Sequence, residues 1–297
     1  MNIYKEITLE IIEALEQGVA PWIQPWKASP HRNYCTNHVY RGINILLLNL
    51  ACIKRGFSTP LWITLKEINF LGGKLKEDEK GTQIVFWKMI ETERCKHLKE
   101  EDHCIKHDRT CESRCDDFDP VCIPIIRYFT LFNIEQCTGI KIKKSKTKQE
   151  ETNDEHDSLL DLATIEYGSN TAYYNIIKDV IYLPNRDQFE SSDHFYATAF
   201  HELIHWTGHS KRLAREFGNY GDENYAIEEL TAEIGAAFLE AKHGINWQKL
   251  RHPNYINNWL EVLSNDKTYK TIFLASRKAQ QACEWLISER ERLKKVA

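Results

Sequence analysis

Five residues constrain this chain more than any other stretch: His201-Glu202-Leu203-Ile204-His205. Histidines four apart on a helix lie on one face, one turn from each other. That is the separation at which two imidazoles hold one zinc ion. The intervening Glu202 then faces the remaining coordination position, where a carboxylate takes a proton from a water polarised by the ion. The fold must therefore supply a helix through 201–205 and a third ligand from elsewhere. The preceding residues have the period for that helix: Phe195, Ala199 and Leu203 recur every four residues, and Ser192 is a candidate N-cap.

The third ligand is not given by simple extension. In the pattern His-Glu-x-x-His-x-x-Gly-x-x-His, Gly208 is in place but Lys211 stands at the last position. His209 lies one turn beyond His205, but three histidines spaced by four drift away from a single point. The run 228–238 offers more. Leu230, Ile234, Ala237, Phe238 and Ala241 form an apolar stripe of helical period. Glu229 and Glu233 flank that stripe beside the small Ala226 and Ala236, and Glu228 points nearly opposite it. Glu229 is the expected third ligand, with Glu233, one turn on, as partner to a ligand histidine. Glu233 as the ligand itself is the alternative.

A chain of 297 residues makes one large domain or two ordinary ones, and 42% hydrophobic residues support substantial cores. The start lacks the apolar run of a signal peptide. The most apolar segment, 43–53, is too short to span a membrane and contains Asn44 and Asn49. Nine cysteines, an odd number, point to a reducing cytoplasm and to thiols or metal, not to a disulfide framework. The expected location is cytoplasmic, with no membrane partner.

The pattern predicts a mixed α+β chain. Residues 3–17 read as an amphipathic helix stopped by Gly18, and 20–27 as an extended aromatic-proline loop. Residues 42–55 read as a helix closed by Gly56, and 61–64 as a strand before a short helix that ends at Gly72-Gly73. Residues 83–87 and 125–132 are strong strand signals, expected to pair as a long hairpin. Its tip, about 91–123, holds Cys95, Cys104, Cys111, Cys115 and Cys122, with His97, His103 and His107 among them. A second, structural zinc there would staple a segment too polar to fold alone; a loose loop with free thiols is the alternative. The charged run 141–157 reads as a linker between segments 1–140 and 158–297. Short strands at 172–175 and 180–184 then lead into the 192–205 helix. An edge strand there is the place where an extended peptide adds to a sheet. Beyond Glu229 the chain is mostly helical.

Net charge is −4, so any nucleic-acid affinity must come from a local patch. Residues 20–76 supply one: Lys27, Arg32, Arg41, Lys54, Arg55, Lys66, Lys74 and Lys76 face a single acid, Glu67, with Trp22, Trp26, Tyr34, Tyr40, Phe57 and Trp62 interleaved. Basic grooves with aromatic platforms hold single strands without reading sequence. Trp22 and Trp26, beside prolines in a loop, are the expected stacking residues, with Lys27, Arg32 and Arg41 on phosphates. Core aromatics under a basic surface are the alternative, for Trp62 above all.

The run 200–209 around the histidines and the run 228–238 resemble those of the ArdC-type plasmid antirestriction proteins. So do Pro21-Trp22, Pro25-Trp26, Tyr40-Arg41-Gly42-Ile43-Asn44, Arg127-Tyr128-Phe129, Phe132-Asn133-Ile134-Glu135-Gln136, Trp259-Leu260 and Asn265-Asp266-Lys267. The resemblance covers most of the chain. It implies an N-terminal domain that binds single-stranded DNA, adding Asn44 to Tyr40 and Arg41 as contacts. It implies a C-terminal zincin-like domain, similar to the SprT-like DNA–protein-crosslink proteases, with a small sheet. The implied role is protection of incoming conjugative DNA from host restriction, with a restriction enzyme or another DNA-bound protein as the protease substrate. A single-stranded-DNA-binding protein with a non-catalytic zinc is the other reading; retention of Glu202 favours the first. The Cys/His tip looks like an insertion that the family does not explain.

Overall fold

A computed structural model of the chain describes residues 2–22, 30–95, 103–104, 109–110, 118–140, 153–218, 222–245 and 253–295. The fold is mixed α+β. In chain order the elements are α1 (Ile3–Glu16), β1 (Arg32–Asn33), α2 (Ile43–Arg55), β2 (Leu61–Ile63), α3 (Leu65–Phe70), β3 (Lys74–Leu75), β4 (Thr82–Cys95), β5 (His103–Cys104), β6 (Arg109–Thr110), β7 (Phe118–Asn133) and β8 (Cys137–Thr138). Then follow α4 (Asn153–Leu160), β9 (Ile165–Tyr167), β10 (Tyr173–Asn175), β11 (Val180–Leu183), α5 (Ser192–Thr207), α6 (Glu223–His243), α7 (Pro253–Asn265) and α8 (Thr271–Lys294). Met1–Thr82 and Leu131–Ala297 make one compact unit, and Gln83–Thr130 a second. Among the described residues no helix is long and apolar enough to cross a membrane.

Local chemistry sets the early helices. Asn2 Oδ1 accepts from the Tyr4 and Lys5 amides and starts α1, which buries Ile7, Ile11 and Leu15. Thr64 and Glu67 form a reciprocal capping box on α3. β1 runs parallel to β2, and β2 antiparallel to the end of β7, with Trp62 opposite Asn133 and Ile63 opposite Phe132. The hydrogen-bonded order is β1-β2-β7-β4. Ile63, Ile68, Phe132 and Ile134 form the apolar cluster on this sheet. Trp62 is fully buried, and its indole N–H donates to His31 Nδ1 at 2.8 Å. An indole can only donate, so His31 Nδ1 is the acceptor. Its Nε2 therefore carries the proton toward Asn49 Oδ1, 2.7 Å away.

Two aromatics expected on the surface are in the core. Trp22 is 1% exposed, its ring edge-on to Trp259 with centroids 5.0 Å apart. Tyr40 is also buried, edge-on to His38. Neither ring face is open for a base to stack on, so these two DNA contacts are corrected to core anchors. The proline-flanked loop does not expose Trp22 because α7 supplies an apolar partner for it. Further links tie the same early residues to the last helices: Thr8 Oγ1 donates to the Tyr269 carbonyl at 3.0 Å, and the Tyr4 ring lies 4.8 Å from that of Phe273.

In the second unit β4 and β7 are neighbours, and β5 pairs antiparallel with β6. The expected zinc at the tip falls largely on residues outside those described, among them Cys111, Cys115, His97 and His107. Residues 141–152 of the charged run also lie outside the described residues. Its last part is helix, not linker, because 153–157 begin α4. Asp157 there accepts from Arg186 Nη2 at 2.6 Å and from the Tyr196 hydroxyl at 3.0 Å. That pairing orders a stretch whose composition alone would not.

The small sheet has the order β10-β11-β9, so β10 is an edge strand. β10 is antiparallel to β11, and β11 parallel to β9. Ile181 and Leu183 are buried while Val180 and Tyr182 are half-buried, the alternation of a strand with one face on a core. Arg212 ties the β10–β11 hairpin to the end of α5. It donates through Nη1 to Asp179 Oδ2 at 3.0 Å, through Nη2 to Asp179 Oδ1, and through Nε to the Trp206 carbonyl at 2.6 Å.

Candidate metal centre

α5 carries the histidines. Its N-cap is Ser191, one residue before the expected Ser192, with Oγ accepting from the His194 amide. Phe195, Ala199 and Leu203 face the core, which leaves His201 and His205 on the other side of the helix toward α6. α6 approaches closely because Gly235 has no side chain. A Cβ there would lie 2.9 Å from Ile204 Cδ1 and Cγ1 and 3.1 Å from Cγ2. On the far side of Gly235, its carbonyl meets Cys283 Sγ of α8 at 3.3 Å.

This approach brings His201, His205 and Glu229 together. The two Nε2 atoms are 3.2 Å apart, and each is 3.6 Å from a Glu229 oxygen. Four ligands at ~2.1 Å around a tetrahedral ion lie about 3.4 Å from one another, so the Nε2 pair is at ligand spacing and the Glu229 carboxylate straddles it, Oε2 toward His201 and Oε1 toward His205. Each histidine's other nitrogen faces a carboxylate. His205 Nδ1 donates to Glu228 Oε1 at 3.1 Å, and His201 Nδ1 lies 3.5 Å from Glu233 Oε2. With Nδ1 protonated toward an acid, each Nε2 presents a lone pair. Two lone pairs 3.2 Å apart repel unless a proton or a metal cation sits between them, and the donor set, two nitrogens and a carboxylate, fits a divalent ion. Burial opposes a proton on His201, but Glu229 and Glu233, with the charge of Glu202, outweigh it and raise the imidazole well above its ordinary range. Burial likewise opposes ionisation of Glu229, yet its bond to His201 and the charges of both histidines bring it down to about 2.

Sequence reading missed the support behind His205. Glu228 does not point to solvent. It is buried, and Arg215 clamps it with Nε to Oε2 at 2.8 Å and Nη2 to Oε1 at 2.7 Å. Arg215 also donates to the Ile204 carbonyl at 2.6 Å and to Thr207 Oγ1 at 2.8 Å, satisfying the end of α5. Burial would raise the Glu228 acid, but Arg215 and His205 hold it below the usual carboxylate value. Gly208 makes room for this loop: a Cβ there would lie 2.7 Å from Phe217 Cζ and 2.9 Å from Arg215 Nη2. The adjacent pair Glu228-Glu229 was the available signal. Neighbouring residues on a helix point about 100° apart, so one carboxylate can hold the ion and the next its histidine.

A cleft of about 480 Å³ opens beside the histidines, and Glu202, Glu229 and Glu233 line it. Ala172, next to the edge strand β10, lines it too. Of the residues expected to contact DNA, Arg41 is exposed with Nη1 2.9 Å from Glu284 Oε1. Arg32 is half-buried and donates to Asn37 Oδ1 at 3.1 Å, and Asn44 is half-buried at the start of α2. Trp26 and Lys27 lie outside the described residues.

Comparison with known proteins places this geometry. Residues 1–132 match the N-terminal domain of anti-restriction factor ArdC, and 157–278 match a zincin-like metallopeptidase family. The metal-free crystal structure of the antirestriction ArdC protein from plasmid R388 superposes with a TM-score of 0.77 at 30% identity, covering 98% of this chain and 99% of that one. Its Mn(II)-bound structure gives 0.75 at 29% identity, covering 98% of each. DNA primase TraC of Escherichia coli is 32% identical over 301 residues, which are 96% of this chain but 27% of the primase. The chain thus spans about a quarter of that relative's length. Uncharacterized protein y4eC of Sinorhizobium fredii is 28% identical over 297 residues, covering 96% of this chain and 91% of that protein. With both ends matched in order, and a solved relative covered over almost its whole length, the chain belongs to the ArdC family of antirestriction proteins.

Proposed function

We propose that this chain is an antirestriction protein of a conjugative element that binds single-stranded DNA and cleaves protein at a zinc site. The observation that carries the reading is the grouping of His201, His205 and Glu229 at a cleft that His201, Glu202 and Glu229 line, beside an edge strand. His201, His205 and Glu229 would hold the ion, zinc or, as in the R388 relative, manganese. A bound ion supplies Lewis acidity to a carbonyl and lowers the pKa of water. Glu202 acts as the base that accepts the proton of the attacking water and passes it to the leaving amine. β10 offers free backbone groups at which an extended polypeptide adds as a further strand, setting its direction across the cleft. Glu228 and Glu233 keep the ligand imidazoles in the tautomer that presents Nε2.

DNA binding falls to residues 1–140, through Arg32, Arg41 and Asn44 with Trp26 and Lys27, and the chemistry to 158–297. The substrate class is a host restriction enzyme or another DNA-bound protein. The test compares wild type with Glu202→Ala for bound zinc, for cleavage of DNA-bound proteins, and for plasmid transfer into a restricting host. The variant should keep its metal and lose both cleavage and protection. Full protection by Glu202→Ala would instead favour a single-strand-binding protein whose metal is not catalytic.

A further inference from the structure

The cleft runs on from the ligand histidines along one face of α6, where Glu229, Glu233, Ala236 and Glu240 follow one another. Glu240 stands at its far end. At a rise of ~1.5 Å per residue, its Cα is about 16 Å along the axis from that of Glu229. Glu240 is 1% exposed and lines the cleft, yet neither of its carboxylate oxygens meets a hydrogen-bond donor. Glu233 Oε1, on the acid nearer the histidines, is also without one. Native folds rarely leave buried acceptors unmet. The charges that act on Glu240 are the carboxylates of Glu233 and Asp193 and the imidazole of His201. Burial and the two acids push its carboxyl well above the usual range. Among the described residues no Lys or Arg pairs with it.

Spare acceptors, no cation of their own and apolar walls from Trp259 and Phe189 are the complement of a guanidinium or ammonium on an alkyl stem. We infer that Glu240 determines specificity at a subsite for an Arg or Lys side chain of the polypeptide substrate, with Glu233 Oε1 as second acceptor. The inference rests on the peptidase reading above and narrows its substrate to basic chains, the composition that DNA-bound proteins carry for phosphate contacts. An arginine side chain reaches ~6 Å and an extended chain advances ~3.3 Å per residue. With the extended chain running along α6 and the arginine leaning toward Glu240, the ~10 Å left after its reach correspond to about three residues, the position tested.

The test uses the full zinc-loaded chain and two oligoglycine hydroxamates, one with Arg and one with norleucine three residues from the hydroxamate. Calorimetry should show the Arg peptide binding wild type about tenfold tighter or more. In Glu240→Gln, shown folded by circular dichroism, that ratio should fall to about one. Equal affinities in wild type, no binding of either peptide, or an Arg preference that survives in Glu240→Gln would each overturn the inference and leave Glu240 a protonated core acid. Mapping of cleavage sites in a mixture of DNA-binding proteins separates the two readings. Failure to cleave any protein would sink the peptidase reading, while the hydroxamate ratio still decides the subsite.

Discussion

Replacing Gly235 by Ala sets two effects of opposite sign against each other. Alanine inside a helix is better than glycine by ~1 kcal/mol, so in an open helix the change would stabilise. Here the new methyl meets Ile204 Cδ1 and Cγ1 at 2.9 Å and Cγ2 at 3.1 Å. Both γ carbons hang from the same Cβ, so rotating the end of the side chain relieves one contact and keeps the others. α6 must step back from α5, at an overpacking cost of ~1–3 kcal/mol. Net destabilisation of the metal-free protein is expected, at about 1 kcal/mol or somewhat more. The step also draws Glu229, six residues before Gly235, away from His201 and His205, and metal affinity should fall about tenfold or more. Ile204→Ala removes all three clashing atoms. In that background Gly235→Ala should change sign and stabilise by ~1 kcal/mol, whereas Ile204→Val, which keeps both γ carbons, should not relieve the clash. Urea denaturation of the four-member cycle gives the coupling, and zinc titration by calorimetry gives the affinities. Stabilisation by Gly235→Ala in the wild-type background would refute the argument, because it would mean that the two helices do not meet at Gly235.

Burial holds His31 neutral to about 4, against the bond to Asn49 that favours its proton, whereas the unfolded chain titrates near 6.5. Between those values the unfolded state binds the extra proton. The stability His31 contributes is thus present above pH 6.5 and is lost as pH falls to 4, by ~3 kcal/mol, and denaturation profiles of wild type and His31→Gln should diverge across that window. Arg215→Met leaves Glu228 charged and buried. It should cost ~3–5 kcal/mol and loosen metal binding, and Glu228→Gln added to it should restore part of the stability if the unpaired charge is the cause. Trp22→Ala should behave as a core truncation, losing ~3–5 kcal/mol in denaturation; a fully stable variant would put that ring back on the surface.

What the sequence revealed and what it hid follow from the range of each signal. The run through Phe195, Ala199 and Leu203 and the stripe through Leu230, Ile234 and Phe238 are periodic over two turns or more, and the helices that carry them are where the period puts them. Trp22 looked exposed because its surroundings in sequence, two prolines and a loop, say nothing of Trp259. Glu228 showed only as pointing away from the apolar stripe, because its partner Arg215 comes from an irregular loop with no period to read. The helix at 153–160 was masked by charge, and it is held by Arg186 and Tyr196 from beyond the small sheet. β9 is three residues long, too short for alternation to register. Composition suggested a basic groove, but it could not show that Arg41 already has Glu284 within reach.

The links between the first helices and the last also govern the order in which the chain can fold. α1 packs on α7, α2 on α8, and Thr8 is held by Tyr269, 261 residues later. During synthesis the apolar sides of α1 and α2 emerge long before the helices that cover them. The early segment must wait as a partly formed body, exposed to chaperones or to its own kind, until residues past 270 leave the ribosome. A fragment cut before α7 would keep that exposed face permanently. Measurements of DNA affinity on such a piece would report a sticky intermediate, and the intact chain is the form on which they have meaning.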